Sequence, residues 1–339
     1  MLRIFHDTHY DFIRWWRVAV VLTVIFVVAG LGSLVMKGIN YSIDFTGGTL
    51  VQIEFNAPVN IADVRGAVTA AGVHDAEVAQ FGSNREYTVR AQDQRNVASQ
   101  DRGAESVANV IKASLERRFG AANFKIMRTE AVGPRVGSEL RRGAVVAMLI
   151  SFLVTLIYLA IRFEWRFGVA AIVATGHDFL TTLAFLKLMH LEVSLTVIAA
   201  ILTVIGYSLN DTIIIFDRVR EDLKKSRNVP LYDVLNRAIN ETLPRSVMTH
   251  ATTFLATAAL LVFAGEIIRP FAWVMIFGIV TGTFSSIYIA GPILLWIERK
   301  WPRAHGASTA RAEPTGKDTP RSARDSRPAA AATKAAPSR

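Results

Sequence analysis

Residues 193–216 read VSLTVIAAILTVIGYSLNDTIIIF, twenty-four residues in which Asp211 is the sole charge. A helix rises 1.5 Å per residue, so about 20 residues cross a hydrocarbon core of roughly 30 Å. Five further runs have the same character, at 18–36, 143–161, 167–188, 247–264 and 271–297. A soluble core does not need six such runs, so the sequence predicts a polytopic α-helical membrane protein with six transmembrane helices. All six tryptophans, Trp15, Trp16, Trp165, Trp273, Trp296 and Trp301, fall within a few residues of a span end, where indoles favour the headgroup level. The first run exceeds a signal-peptide core and lacks a small-x-small cleavage site, so it reads as a retained anchor.

Lys and Arg set the orientation, because only short loops and near-membrane segments count in the positive-inside rule. Three lie in 1–17, two in 162–166, seven in 217–246 and ten in 298–339, against only Lys187 and Arg269 in the two short loops of opposite side. Both termini are therefore expected in the cytoplasm. The long segment 37–142 is expected on the far side. The formal net charge of +10 is concentrated in cytoplasmic loops and tail, which fits topology and anionic lipid rather than nucleic acid. The absence of cysteine excludes disulfides, Cys-zinc sites and thiol catalysis.

Within 37–142 the periodicity changes in a regular order. Val51, Ile53 and Phe55 alternate with Gln52 and Glu54 as in a half-buried strand, and Ile61, Val64, Val68 and Ala71 follow helical spacing. Strands are expected at 76–82 and 86–91, a helix through Val107, Val110, Ile111, Ser114 and Leu115, and a last strand at 123–132. The order β-α-β-β-α-β predicts an α+β, ferredoxin-like domain between helices 1 and 2. In 217–246 the stripe Leu231, Val234, Leu235, Ala238 and Ile239 predicts an amphipathic helix lying on the inner leaflet. Thr242 and Pro244 then read as cap and first turn of span five. The charged run Asp217, Arg218, Arg220, Glu221 and Asp222 reads as a solvated helix end. The tail 298–339 is basic, rich in Ala, Pro and Ser, and too poor in large apolar residues to fold.

The residues that carry chemistry are the polar ones inside spans, since an ionisable group at mid-bilayer costs about 2.5 to 3.5 kcal/mol on insertion scales. Thr203, Tyr207, Asn210 and Asp211 share a face of span four. Thr175, Asp178 and Thr182 share one in span three, beside His177, and Arg245, Thr249, Thr252 and Thr253 repeat the spacing in span five. The three stripes imply a polar seam inside a bundle. Two readings stay open: glue between helices, or a proton path in which a carboxylate alternates between protonated and ionised beside a cation. Arg245 is either that cation or a side chain snorkelling to the interface, and His250 either joins a relay or is satisfied by a neighbour. His6 and His9 lack a carboxylate-rich partner set, so no metal site is expected. Nucleotide-binding and hydrolase motifs are absent, so no enzyme activity and no cofactor beyond protons as coupling ion is expected.

IDFTGGT at 43–49, AVGPRVG at 131–137, His177-Asp178, and GYSLNDT at 206–212 running to DRVRE at 217–221 together resemble the SecD/SecF family of the bacterial Sec protein translocase, in the resistance-nodulation-division superfamily. The resemblance covers about residues 10–300. It implies a subunit of the cell inner membrane whose α+β domain is periplasmic, paired with a homologous six-span partner, SecD. It also implies association with the SecYEG channel, with YajC and YidC as further candidates, and use of the proton-motive force to promote late steps of preprotein export. The family's proton-path positions map onto Asp211 and Arg245. The carboxylate a partner would supply has no counterpart here, and no second copy of the bundle is present in the chain. The glycine-rich segments holding Asp44, Gly47 and Gly48, and Gly133, Pro134 and Gly137, tie the domain to spans one and two and read either as hinges or as tight turns. The rival functions are a proton-driven exporter of lipid or small molecules and a passive assembly subunit.

Overall fold

Six helices long and apolar enough to cross a membrane appear in the computed structural model, at Ile13–Lys37, Pro134–Arg162, Trp165–Leu188, Leu195–Lys225, Leu231–Phe263 and Arg269–Lys300. The structure describes residues 8–73, 76–80, 83–91, 103–225, 229–265 and 267–302. The basic tail from residue 303 on, His6 at the N-terminus, and Phe81 and Gly82 of an expected strand lie outside them. Met1–Lys300 forms one unit and Trp301–Arg339 another; of the second, only Trp301 and Pro302 are described.

The first span is a 3₁₀ turn, Ile13–Trp15, leading into α1 (Trp16–Lys37). A single turn, α2 (Ile43–Thr46), leads into β1 (Gly48–Phe55), α3 (Ile61–Ala70), β2 (Glu77–Gln80), β3 (Glu86–Ala91), α4 (Gly103–Phe119) and β4 (Phe124–Val132). The β-α-β-β-α-β order is the one the periodicity implies. The sheet runs β2-β3-β1-β4 with every pair antiparallel. One face carries Val51, Ile53, Phe55, Tyr87 and Val89 onto Val64 and Val68 of α3 and Ile111 and Leu115 of α4, all buried. Val110, expected on the same apolar stripe, is exposed, because the face of α4 that meets the sheet is narrower than the apolar spacing suggests.

The remaining spans are α5 (Pro134–Arg162), α6 (Trp165–Leu188), α7 (Leu195–Lys225), α8 (Leu231–Phe263) and α9 (Arg269–Ser285). A π-helical turn, Ser286–Ala290, then joins α9 to α10 (Gly291–Lys300). The bundle core is tight where side chains are small. A Cβ at Gly30 would come within 2.3 Å of Ala184 Cβ, one at Gly278 within 2.2 Å of Val204, and one at Gly282 within 2.8 Å of Ser208. Small residues let membrane helices approach closely and gain dispersion that lipid cannot supply.

Two expectations fail at the end of the bundle away from the domain. Among the described residues no separate helix precedes span five: α8 runs unbroken through Pro244, and Thr242, expected as a cap, donates to the carbonyls of Ala238 and Ile239 inside the helix. The stripe Val234, Leu235, Ala238 and Ile239 is buried against Ile13, Phe216 and Leu294. The apolar face thus meets protein rather than lipid, an alternative that spacing cannot separate. Nor is the charged end of α7 merely solvated. Arg218 pairs with Glu221, Asp222 and Glu241, and Asp217 with Arg162 and Arg220. Asp222 itself is buried, so these charges clamp α5, α7 and α8 together.

Candidate functional site

The polar residues of the spans form two carboxylate-centred networks that meet α7 at Ser208 and Asp211, three residues apart and so on adjoining faces of the helix. The first centres on Asp178, 1% exposed. Its Oδ2 accepts hydrogen bonds from Ser208 of α7 and from Ser285 of α9, the latter at 2.7 Å, and its Oδ1 lies 3.0 Å from His177 Nδ1. His177 Nε2 is 2.7 Å from Thr23 Oγ1 of α1. Four helices therefore converge on one carboxylate. Thr175 and Thr182, on the same face, are buried but donate to carbonyls of their own helix.

The second network centres on Asp211, 3% exposed. Ser246 of α8 donates to Oδ1 at 3.2 Å, and His250 Nε2 lies 3.3 Å from Oδ2. His250 Nδ1 is 3.2 Å from Thr283 Oγ1 of α9. The Tyr207 ring stands edge-on to His250, centroids 5.3 Å apart, and its hydroxyl donates to the Thr249 carbonyl. Thr212 and Ser286 share a hydrogen bond of 2.8 Å next to this network. Each network thus holds one imidazole–carboxylate pair, the first on α6 and bonded to Ser208 of α7, the second between Asp211 of α7 and His250 of α8, each with hydroxyls on its flanks.

The side chains of Arg245, Asn210 and Thr249 make no hydrogen bond or ion pair with either carboxylate among the described residues, although Arg245 lies near enough to Asp211 to act on its charge. All three are exposed, as are Thr203 and Thr252. Arg245 has no ion pair among the described residues. The hydroxyls of Thr249, Thr252 and Thr253 donate to carbonyls of their own helix. The stripe expected inside the bundle on span five instead makes, with Asn210, a polar strip on the outside of α7 and α8, at the edge of the Asp211 network.

At the domain end the two glycine segments interlock. Gly47 has φ +73°, a left-handed value that favours glycine, and a Cβ there would reach 2.9 Å from Pro134 Cα; a Cβ at Gly137 would lie 2.9 Å from Gly47 N. Gly48 starts β1, pairing with Val132 of β4, and Gly133 precedes α5 in extended conformation. Asp44 accepts a hydrogen bond from Leu195 N, the first residue of α7, at 3.0 Å. Ser42 N donates to Val193 O and Val193 N to Asn40 O. In this structure both segments are tight turns in contact with each other and bonded to the loop before α7.

Spacing missed Ser208, Ser246, Ser285, Ser286, Thr23 and Thr283. The one available signal was the succession Gly278, Gly282, Ser285 and Ser286, a run of small residues at helical spacing that marks a close helix contact. Among the described residues no cluster of His, Asp and Glu is arranged to hold a metal ion.

Residues 111–300 match the family described as "Protein export membrane protein SecD/SecF, C-terminal", and residues 32–59 match the "SecD/SecF GG Motif". The protein translocase subunit SecF of Gemmatimonas aurantiaca is 61% identical over 326 residues, 96% of this chain and 98% of that one. SecF of Vibrio alginolyticus is 39% identical over 84% of this chain and 88% of its own length. The crystal structure of SecDF from Thermus thermophilus, described as a translocon-associated membrane protein, superposes on 86% of this chain with a TM-score of 0.75 and 37% identity. This chain spans 39% of that SecDF chain. Sequence and fold agree over the bundle, the glycine motif and the α+β domain, and the chain belongs to the SecD/SecF family, on its SecF side.

Proposed function

We propose that this accessory Sec translocase subunit works in the cytoplasmic membrane with SecD. Both termini are inside and the α+β domain is periplasmic, and protonation of Asp211 couples the proton-motive force to late steps of preprotein export. The observation that carries the reading is the Asp211–His250 pair, buried inside the bundle yet bordered by the exposed strip of Asn210, Arg245 and Thr249. A proton reaching Asp211 turns an acceptor into a donor, so the contacts to Ser246 and His250 must rearrange. A change in which hydrogen bonds are made shifts the balance between two bundle states. Each charge moved across the membrane is worth about 2.3 kcal/mol per 100 mV, enough to bias such a balance.

The exposed polar strip is costly against lipid, and a second six-span bundle packed there would cover it, as expected where a site lies at a repeat interface. SecD supplies that bundle in this reading, Arg245 then facing it. SecYEG, with YajC and YidC, would place the assembly beside the emerging chain. The subunit acts as a coupling element rather than an enzyme, with the proton as its only co-substrate. Cells whose only copy carries Asp211→Asn, at normal abundance, should export preprotein at the rate seen without a proton gradient. Unchanged export would make Asp211 structural and the chain a passive assembly subunit.

A further inference from the structure

An apolar groove of about 200 Å³ runs between α1, α5, α6 and α7 at the domain end of the bundle. It is smaller than the roughly 300–1,000 Å³ of pockets that enclose drug-sized ligands. Phe179, Leu183 and Leu186 of α6 form one wall and Met148 of α5 another. From Phe179 to Lys187 the wall extends about 12 Å along the helix, close to the depth of one leaflet's hydrocarbon, about 15 Å. The groove therefore has the direction and length of a lipid chain.

Its rim on the domain side is cationic. Lys187 and Arg141 both line it, and no carboxylate does. Lys187 is 6% exposed, and its ammonium donates to the Gly38 carbonyl at 2.8 Å and to Asn40 Oδ1 at 3.2 Å. Both acceptors are neutral, and neither Lys187 nor Arg141 has an ion pair among the described residues. A buried ammonium with one N–H to spare and no counter-ion, beside an exposed guanidinium, is matched by an anion that both can reach.

We propose that this groove binds an anionic phospholipid from the leaflet on the domain's side, with its phosphate on Lys187 and Arg141 and one acyl chain along Phe179 and Leu183. The groove also contacts Asn40, Tyr41 and Phe45, the segment between α1 and the sheet. An occupied groove would brace the link between membrane and domain. This inference does not depend on proton coupling.

The test is native mass spectrometry of the delipidated full chain, titrated with dioleoyl phosphatidylglycerol or dioleoyl phosphatidylcholine. A cation near a lipid phosphate favours the anionic lipid roughly fivefold. Two such cations should therefore make one phosphatidylglycerol bind about 25-fold more tightly than phosphatidylcholine, and Arg141→Gln, at an exposed position with no hydrogen bond to lose among the described residues, should remove about fivefold of that preference. Ala144→Phe, filling the groove, should weaken both lipids. The proposal is overturned by equal binding of the two lipids, by a preference undiminished in Arg141→Gln, by binding unaffected by Ala144→Phe, or by competition from inorganic phosphate alone that leaves no lipid dependence.

Discussion

Asp178 and Asp211 are both carboxylates inside spans, and their surroundings differ. Asp178 is bonded by two serines and an imidazole, all within this chain. Asp211 sits beside the exposed strip of Asn210 and Arg245. Spacing found both acids because a charge inside an apolar run is conspicuous. It could not find Ser208 or Ser285, since a serine in a membrane helix looks the same whether it bonds its own carbonyl or a carboxylate across the interface. The close glycine contacts are residue-scale too. Gly30→Ala would place a methyl against the Ala184 backbone, 2.5 Å from its Cα, whereas a methyl at Gly32, two residues on, meets nothing within 4 Å. Gly30→Ala should cost roughly 1–3 kcal/mol as overpacking and lower the melting temperature in detergent; Gly32→Ala should leave it unchanged. Equal behaviour of the two would mean that α1 and α6 do not meet at Gly30.

Among the elements, α8 departs furthest from expectation. A proline after a threonine reads as a helix start, yet tertiary packing carries the helix through Pro244, with its apolar stripe inside the protein. The segment before α1 is strapped to this half of α8. Tyr10 N donates to Asn240 Oδ1 at 2.9 Å, Ile13 N to Asn236 Oδ1 at 3.1 Å, and the Tyr232 hydroxyl to Asp11 Oδ1 at 2.6 Å. The Tyr232 bond, aided by Arg14 N and Asn236, holds the Asp11 carboxyl below its ordinary value of 3.8. A carboxyl lowered on folding adds stability that is complete above its unfolded value and fades as pH falls through its folded one. The melting temperature of the wild type should exceed that of Asp11→Asn at pH 7, and the gap should close as the pH drops below about 4. A gap that persisted at lower pH would assign the difference to something other than this carboxylate.

Across the whole molecule, the sheet turns one face to its own helices and the other toward the membrane bundle. Gln52, Thr88 and Arg90 of that second face, with Glu192 and Ser194 before α7, line a cleft of about 550 Å³. Arg90 closes it by pairing with Glu192 and by donating to the Tyr41 carbonyl at 3.4 Å. The pair is partly solvated, so its contribution is modest, about 1 kcal/mol or less. Its place matters more, because it joins domain to bundle. Glu192→Gln should leave the melting temperature within about 1 °C, since a surface change shifts stability by about 0.5 kcal/mol or less, yet speed amide exchange in residues 190–194. Unchanged exchange would show that the backbone bonds of Val193 hold the domain without the ion pair.

The chain alone determined the number of spans, their order and the strand–helix order of the domain, because burial in lipid or in a small core imposes a period that each segment must satisfy by itself. Asp178 and Asp211 were legible for the same reason, as charges that an apolar run does not tolerate without compensation. Only the tertiary structure decided which hydroxyls bond those acids, that Arg245 faces outward, that the stripe of α8 meets Phe216 rather than a leaflet, and that Gly47 locks against Pro134. These depend on the rotation and approach of helices far apart in sequence, which no local period encodes.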